Sequence, residues 1–259
     1  MNPQGIYSLV SRGNTLQRQM DTIANNLANV NTTGYKQDQP AFQELFATTM
    51  GVAQESDEEP FATHEHLAPY TGVGAFYVSM ADMGKNLAPG RLTTTNNTFD
   101  FAIVSPDGFF SIDTPQGERF TRAGSFQLNQ NGVLVNSDGH AVNGKEGPLT
   151  IRGTDVRLGD DGSIVVDGAR AGGLKLVRFP FPHRLEKAGG AMFMPGDPEN
   201  TPRIVEDVQL AQGMLESSNV DTVREMVKMI DANRAYTTMQ KALTASDDMN
   251  RQAITLAEV

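Results

Sequence analysis

The chain has 259 residues, 39% of them hydrophobic, with 31 acidic side chains against 21 basic ones and a formal net charge of −10. That apolar content fills a core and excludes a disordered tail, while the acidic balance repels phosphate backbones and anionic lipid, so nucleic acid is not an expected partner. There is no cysteine, which excludes disulfides, thiolate catalysis and cysteine zinc sites.

The opening stretch, MNPQGIYSLVSRGNTLQRQM, holds no apolar run long enough for a cleaved secretion signal. Nowhere do about 18 apolar residues follow one another, so no integral membrane span is expected. Ile6, Leu9, Gly13, Leu16, Met20, Ile23, Leu27 and Val30 recur in steps of three and four, a heptad seam that predicts a helix over 1–34. Gly13 is the weak tooth, either a helix defect or a place where a neighbour comes close. The opposite face carries Arg18, Asp21, Thr22, Asn25 and Asn29, poorer in charge than a solvated helix back. Covering the seam is worth roughly 10 kcal/mol at ~1.5–3 kcal/mol per large side chain, and a lone helix cannot cover it.

The helix closes in ANNLANVNTTGYK, where asparagine is a poor helix former and must serve something else. Two readings stand. Asn25, Asn26 and Asn29 are either solvated amides of a frayed end, or donors and acceptors that meet protein where a charge would be costly to bury. Gly34 is expected to end the helix in the left-handed conformation, and Ala24 and Ala28 to admit a close neighbour.

Residues 35–74 are polar and broken by proline and glycine, and read as an extended connector. From 75 to 214 the period changes to two. Runs such as FDFAIV, FFSI, FQLN, VLVN, LTIR, DVRL, SIVV and LKLVRF are separated by Asp107-Gly108, Gln116-Gly117, Asn131-Gly132, Asp138-Gly139, Asn143-Gly144, Asp161-Gly162 and Asp167-Gly168. Such dipeptides supply the positive φ of tight hairpins, so an antiparallel β domain is expected. A second helix is expected within 215–259, with Asn219 or Thr222 as N-cap and Glu225 completing a capping box. Its stripe begins at Val223, Val227 and Ile230 and continues through Ala232, Tyr236, Met239, Leu243, Met249, Ala253 and Leu256. The fold class is α+β: two long terminal helices packed as a coiled-coil-like core domain, with the β domain inserted between them.

IANNLANVNTTGYK closing the first helix, LESSNVDTVREMVKMIDANRAY opening the second and FDFAIVSPDGFFSIDTPQGERFTRAGSFQLNQNGVLVNSDGHAV between them resemble the flagellar basal-body rod and hook protein family. The resemblance covers nearly the whole chain apart from about 47–70. Length and the opening stretch are most similar to the proximal rod branch, with the distal branch next. The resemblance implies a structural subunit with no cofactor, built through its terminal helices into a tubular drive shaft that carries torque to the hook, with the β domain outside. It implies as partners copies of itself, other rod proteins and the flagellar type III export apparatus, and as location the basal-body rod crossing the periplasm, reached without signal cleavage. The expected subunit-interface residues are Ile6, Leu9, Leu16, Met20, Ile23, Asn25, Asn26, Leu27, Asn29, Val30, Val223, Val227, Ile230, Tyr236, Met239, Leu243 and Met249. The methionines on the stripes are core filler or adaptable contacts for several neighbours.

Other classes are a wall hydrolase or an adhesion module with helical tails. Asp100, Asp107 and Asp113 offer carboxylates to a hydrolase, yet aspartate is common at turns for backbone reasons. His64 and His66 are two ligands and not a site, with His140 and His183 distant in sequence, so no metal is expected. The run Glu55 to Glu59 lacks calcium-loop spacing, and GVGAFYVSMADMG lacks the frame of a phosphate loop.

Overall fold

A computed structural model describes residues 3–47, 75–153, 155–159, 162–205 and 208–257. The acidic run Glu55 to Glu59 and the pair His64 and His66 lie outside them. The architecture is α+β: helix α1 (Pro3–Ala28), helix α2 (Thr222–Ala257) and short strands between them. The described residues divide into two compact units. One takes α1 to Asp21, α2 from Met229, and most of a two-stranded sheet formed by β1 (Asp38–Ala47) and β2 (Ala75–Lys85); the other holds Thr22–Gln39 and Gly84–Lys228.

In the second unit every registered strand pair is antiparallel. The strand Phe109–Thr114 lies near the middle of a ten-stranded sheet, between Gly117–Thr121 and Ala141–Gly144. Its FFSI run is buried on both faces, which is why apolar residues are adjacent there and not alternating. Phe110 joins one cluster with Phe101, Phe126, Leu134, Ile164 and Leu176, while Phe109 joins another with Phe120, Val177, Phe179, Leu185 and Phe193. Rings in the second cluster meet edge-on, Phe120 and Phe179 at 4.9 Å and 80°.

Five of the seven glycine turns carry positive φ, and at Asp167-Gly168 both residues do (50° and 83°), as a type I′ turn requires. Gly108 and Gly144 do not. A Cβ on Gly108 would stand 3.1 Å from Ile103 and Val208 side-chain carbons, and one on Gly144 2.9 Å from Gly173 O, so close approach explains those two. LTIR forms no strand, contributing one isolated bridge, Val133 to Thr150.

Three local expectations are corrected. α1 stops at Ala28, six residues before Gly34, through tightened turns such as Val30 N to Leu27 O (3.4 Å) and Thr32 N to Asn29 O (3.1 Å). Gly34 is left-handed (φ 66°) but does not terminate the helix; it threads a gap where a Cβ would fall 2.2 Å from Ala123 N. The N-cap of α2 is Asp221, whose Oδ1 accepts Arg224 N at 3.1 Å; Asn219 and Glu225 are engaged elsewhere. The stripe of α2 is also two faces. Ile230 to Ala232 is a step of two, about 200° around a helix, so the row Val223, Val227, Ile230 stands away from the row Ala232, Tyr236, Met239, Leu243.

Candidate assembly interface

The amides at the end of α1 have partners in their own chain. Asn26 is buried, and its Oδ1 accepts Asp38 N at 2.9 Å while its Nδ2 donates to Asp38 O at 2.9 Å. One side chain thus does for β1 what a neighbouring strand would do, which needs donor and acceptor together and so selects asparagine. Asn26 Nδ2 also lies 3.3 Å from Glu225 Oε2 in the first turn of α2, and Glu225 Oε1 accepts Gln37 Nε2 (2.9 Å) and Lys228 Nζ (2.6 Å). Asn29 Nδ2 donates to Asn25 O (2.9 Å) and to Asn25 Oδ1 (3.0 Å), and its Oδ1 accepts Thr32 Oγ1. The one hydroxyl proton of Tyr35 faces three acceptors, Asn25 Oδ1 (3.0 Å), Asn26 Oδ1 (3.2 Å) and Asp38 Oδ2 (3.4 Å). Burial first and then Asp38 raise the Tyr35 pKa well above its ordinary value.

Beside this lies a clamp of buried charge. Glu216 receives Lys36 Nζ at 2.5 Å and Gly90 N at 2.8 Å on Oε1, and Arg122 Nη1 at 3.5 Å on Oε2; all three charged side chains are 1% exposed. Lys36 also donates to Ala88 O, and Arg122 to Ser105 O and Pro106 O. Burial lowers the pKa of both cations, and Glu216 opposes that shift in each. The backbone closes the same joint: Gly34 N donates to Glu216 O at 2.7 Å, and Asn219 bonds Gln37 N, Asn86 O and Ala88 O. Lys187 stands 3.8 Å from the Tyr35 ring centroid and 2.8 Å from Asp38 Oδ2, its pKa lowered by burial against Asp38. The chain therefore enters and leaves the β region through one buried polar joint, in which Arg122 Nε alone of these side-chain nitrogens and oxygens is left without a partner. Sequence reasoning reached Asn26 but missed Glu216, Lys36 and Arg122, which stand among ordinary neighbours in ESSN, GYKQ and FTRAG.

The remaining expected interface residues fall into two groups. Ile23 and Met239 are buried and Leu16, Met20, Leu27, Val30, Tyr236 and Leu243 half-buried, while the side chains of Ile6 and Leu9 lie outside the described residues. The covered row of α2 runs Glu225, Ala232, Met239, Ser246, one residue per heptad. Gly13 is the close approach and not a defect, since a Cβ there would stand 2.6 Å from Met239 Cε. Asn25 is exposed and Asn29 half-buried. Val223 (71% exposed), Met226, Val227 (52%), Ile230 and Met249 stand open. The first four share one face of α2, which nothing among the described residues covers.

The carboxylates weighed for a hydrolase are engaged separately. Asp100 accepts Thr95 Oγ1 (2.6 Å) and Asn97 Nδ2 (3.1 Å), Asp107 pairs with Arg178 (3.5 Å), and Asp113 is exposed on its strand. Among the described residues no three His, Asp or Glu side chains gather as metal ligands, and no helix is long and apolar enough to cross a membrane.

Three family models match the chain: "Flagella basal body rod protein" over residues 6–36, "Flagellar hook protein FlgE/F/G D1 domain" over 103–166, and "Flagellar basal body rod FlgEFG protein C-terminal" over 211–256. The first contains Asn26, Tyr35 and Lys36 of the polar joint, and the third contains Glu216, Asn219 and Glu225. Among similar proteins, the flagellar basal-body rod protein FlgF of Caulobacter vibrioides is 33% identical over 252 residues, 96% of each chain. The flagellar basal-body rod protein FlgG of Buchnera aphidicola subsp. Schizaphis graminum is 34% identical over 245 residues, 90% of this chain and 92% of its own. FlgG of Bacillus subtilis is 30% identical over 268 residues, 98% of both.

Proposed function

Because the chain belongs to the flagellar basal-body rod protein family, we propose that it is built into the rod at the proximal position, through its two terminal helices. It is a structural subunit of the flagellar rod. The observation that carries the assembly reading is the open row Val223, Met226, Val227 and Ile230, four large apolar side chains on one face of α2. Water meets that face in the lone molecule, and a neighbouring subunit removes it from water at ~25 cal/mol per Å² of apolar surface. The covered row around Met239 and Gly13 supports the helices pairing within one chain in coiled-coil fashion. Domain roles follow the sequence reading: 1–34 with 215–259 as the rod core, 35–74 as connector, and 75–214 as the β domain, whose entering and leaving segments meet at the Glu216 joint. Exposed Asn25 and half-buried Asn29 contribute amides to neighbours, while Asn26 holds its own chain together.

The proximal assignment draws on FlgF of Caulobacter vibrioides, matched over 96% of the chain at 33% identity. The distal branch is the second reading, favoured by FlgG relatives of like identity. The subunit works by packing and not by turnover, is exported by the flagellar type III apparatus without signal cleavage, and lies in the rod across the periplasm, where it passes torque toward the hook.

The test is Val223→Asp with Val227→Asp, made in a strain whose own gene is deleted. Both sites are exposed, so the purified variant keeps its unfolding free energy within about 0.5 kcal/mol of the parent per substitution. It fails to restore swimming, because a carboxylate buried at a subunit contact costs several kcal/mol. Full swimming by the double variant overturns the helix-face reading.

A further inference from the structure

Among the described residues two methionines are exposed, Met226 (45%) and Met249 (59%), whereas Met239 is buried (8%). Met226 stands in the open row of α2, one turn from Val223 and beside Val227, both more exposed than it is. Met249 stands outside that row. A thioether has no proton to lose, so its reactivity follows access to the oxidant, where a thiol's also follows its pKa. The chain has no cysteine, so methionine carries all of its sulfur.

Resting on the rod-subunit reading above, we propose that Met226 is a site of oxidative modification: a peroxide converts its thioether to the sulfoxide before assembly, and the sulfoxide bars the chain from the rod. The sulfur lone pair attacks one oxygen of hydrogen peroxide. An S–O bond forms, the O–O bond breaks, and the second oxygen leaves as water with both protons. Sulfur loses two electrons and the peroxide gains them. The side chain keeps its length, but it now carries a strong acceptor with no donor of its own. The side chains of Val223, Val227 and Ile230 around it hold no N–H or O–H, so that face gives the sulfoxide no partner once water is excluded. In the lone molecule water solvates the new oxygen, and the fold tolerates it. Met239 is protected by packing, since its Cε lies only 2.6 Å from where a Cβ on Gly13 would stand. The open row is thus reactive before assembly and closed after it.

The first test adds dilute hydrogen peroxide to the purified full-length protein and follows each methionine peptide by mass spectrometry. Met226 gains its oxygen about tenfold faster than Met239. Equal rates overturn the site. The second arm is Met226→Gln, which puts a polar side chain of similar length at the same exposed place, with a residue that suits a helix. The purified variant melts with the parent, yet it restores roughly tenfold fewer swimming cells to the deletion strain. Full swimming by Met226→Gln overturns the proposal and leaves the rod reading to the Val223→Asp, Val227→Asp pair. The third arm uses the parent chain, so no folding defect enters. Its gene is induced in the deletion strain under peroxide, and basal bodies are compared with unassembled chains from the same cells. Sulfoxide at Met226 is roughly tenfold scarcer in the basal bodies. Equal sulfoxide in both pools overturns the proposal while the rod reading stands. Absence of the chain from basal bodies of untreated swimming cells overturns the rod reading itself.

Discussion

Glu216→Gln removes the one anion that two buried cations share. In the parent, Oε1 accepts from Lys36 Nζ and Gly90 N, and Oε2 faces Arg122 Nη1, with all three charged side chains sealed from water. Glutamine keeps the size but supplies one acceptor and one donor, so either Lys36 and Gly90 or Arg122 now meets an N–H. Breaking a buried pair from one side costs about 3–5 kcal/mol, because the uncompensated cation stays buried. For a urea slope of about 3 kcal/mol per M, that moves the unfolding midpoint down by about 1–1.7 M. The chain has no tryptophan, so the assay follows far-ultraviolet circular dichroism of the full-length protein. The deficit also depends on pH. Burial already holds Lys36 below its ordinary 10.5, and losing Glu216 lowers it further. Folded Lys36 then sheds its proton before the unfolded chain does, so the variant gains stability as pH rises toward 10.5. Adding Lys36→Met recovers part of the loss, since Arg122 keeps its contacts to Ser105 O and Pro106 O. A loss under about 1 kcal/mol, or none recovered in the double variant, refutes the clamp as a source of stability.

Tyr35→Phe deletes a hydroxyl proton held among three acceptors and costs about 1–2 kcal/mol at neutral pH. Its pH signature is separate: unfolded tyrosine ionises near 10.0 and folded Tyr35 only above that, so parent stability is full below pH 10 and falls above it. The difference between parent and variant in urea melts must shrink above pH 10; a constant difference contradicts the burial of that hydroxyl. Gly34→Ala, at φ 66° with a Cβ 2.2 Å from Ala123 N, costs about 2–5 kcal/mol in the same melts, and a neutral result means the backbone crossing at Glu216 is looser than described. Asn25→Asp with Asn29→Asp puts two carboxylates where Nδ2 of Asn29 now meets Oδ1 of Asn25 at 3.0 Å, and abolishes swimming while the β region keeps its far-ultraviolet signal. Normal swimming by that variant removes both amides from the interface.

Much of this was legible in the sequence because it rests on local rules. The helix that carries the α1 seam, five of the glycine turns and the FFSI strand each follow from periodicity or backbone freedom within a few residues, whereas the burial of FFSI on both faces does not. The errors come where a side chain answers to something distant. The end of α1 was misread at Gly34 because that glycine serves a crossing with Ala123 and Glu216, about 90 and 180 residues on, and not the helix itself. The stripe of α2 was read as one because both of its faces are apolar, one covered within the chain and one left open, and a run of threes and fours conceals the step of two at Ile230 to Ala232. Glu216, Lys36 and Arg122 gave no signal at all, since charged residues in polar segments look solvated until the fold closes over them.

In the assembly proposed above, neighbouring subunits of the rod shelter the open face of α2. Val227→Cys places a single thiol on that face in a chain with no other, so a soluble maleimide reports its exposure directly. The thiol labels rapidly in the purified monomer and is protected in basal bodies isolated from swimming cells if subunits cover that face. Equal labelling in both states contradicts that assembly.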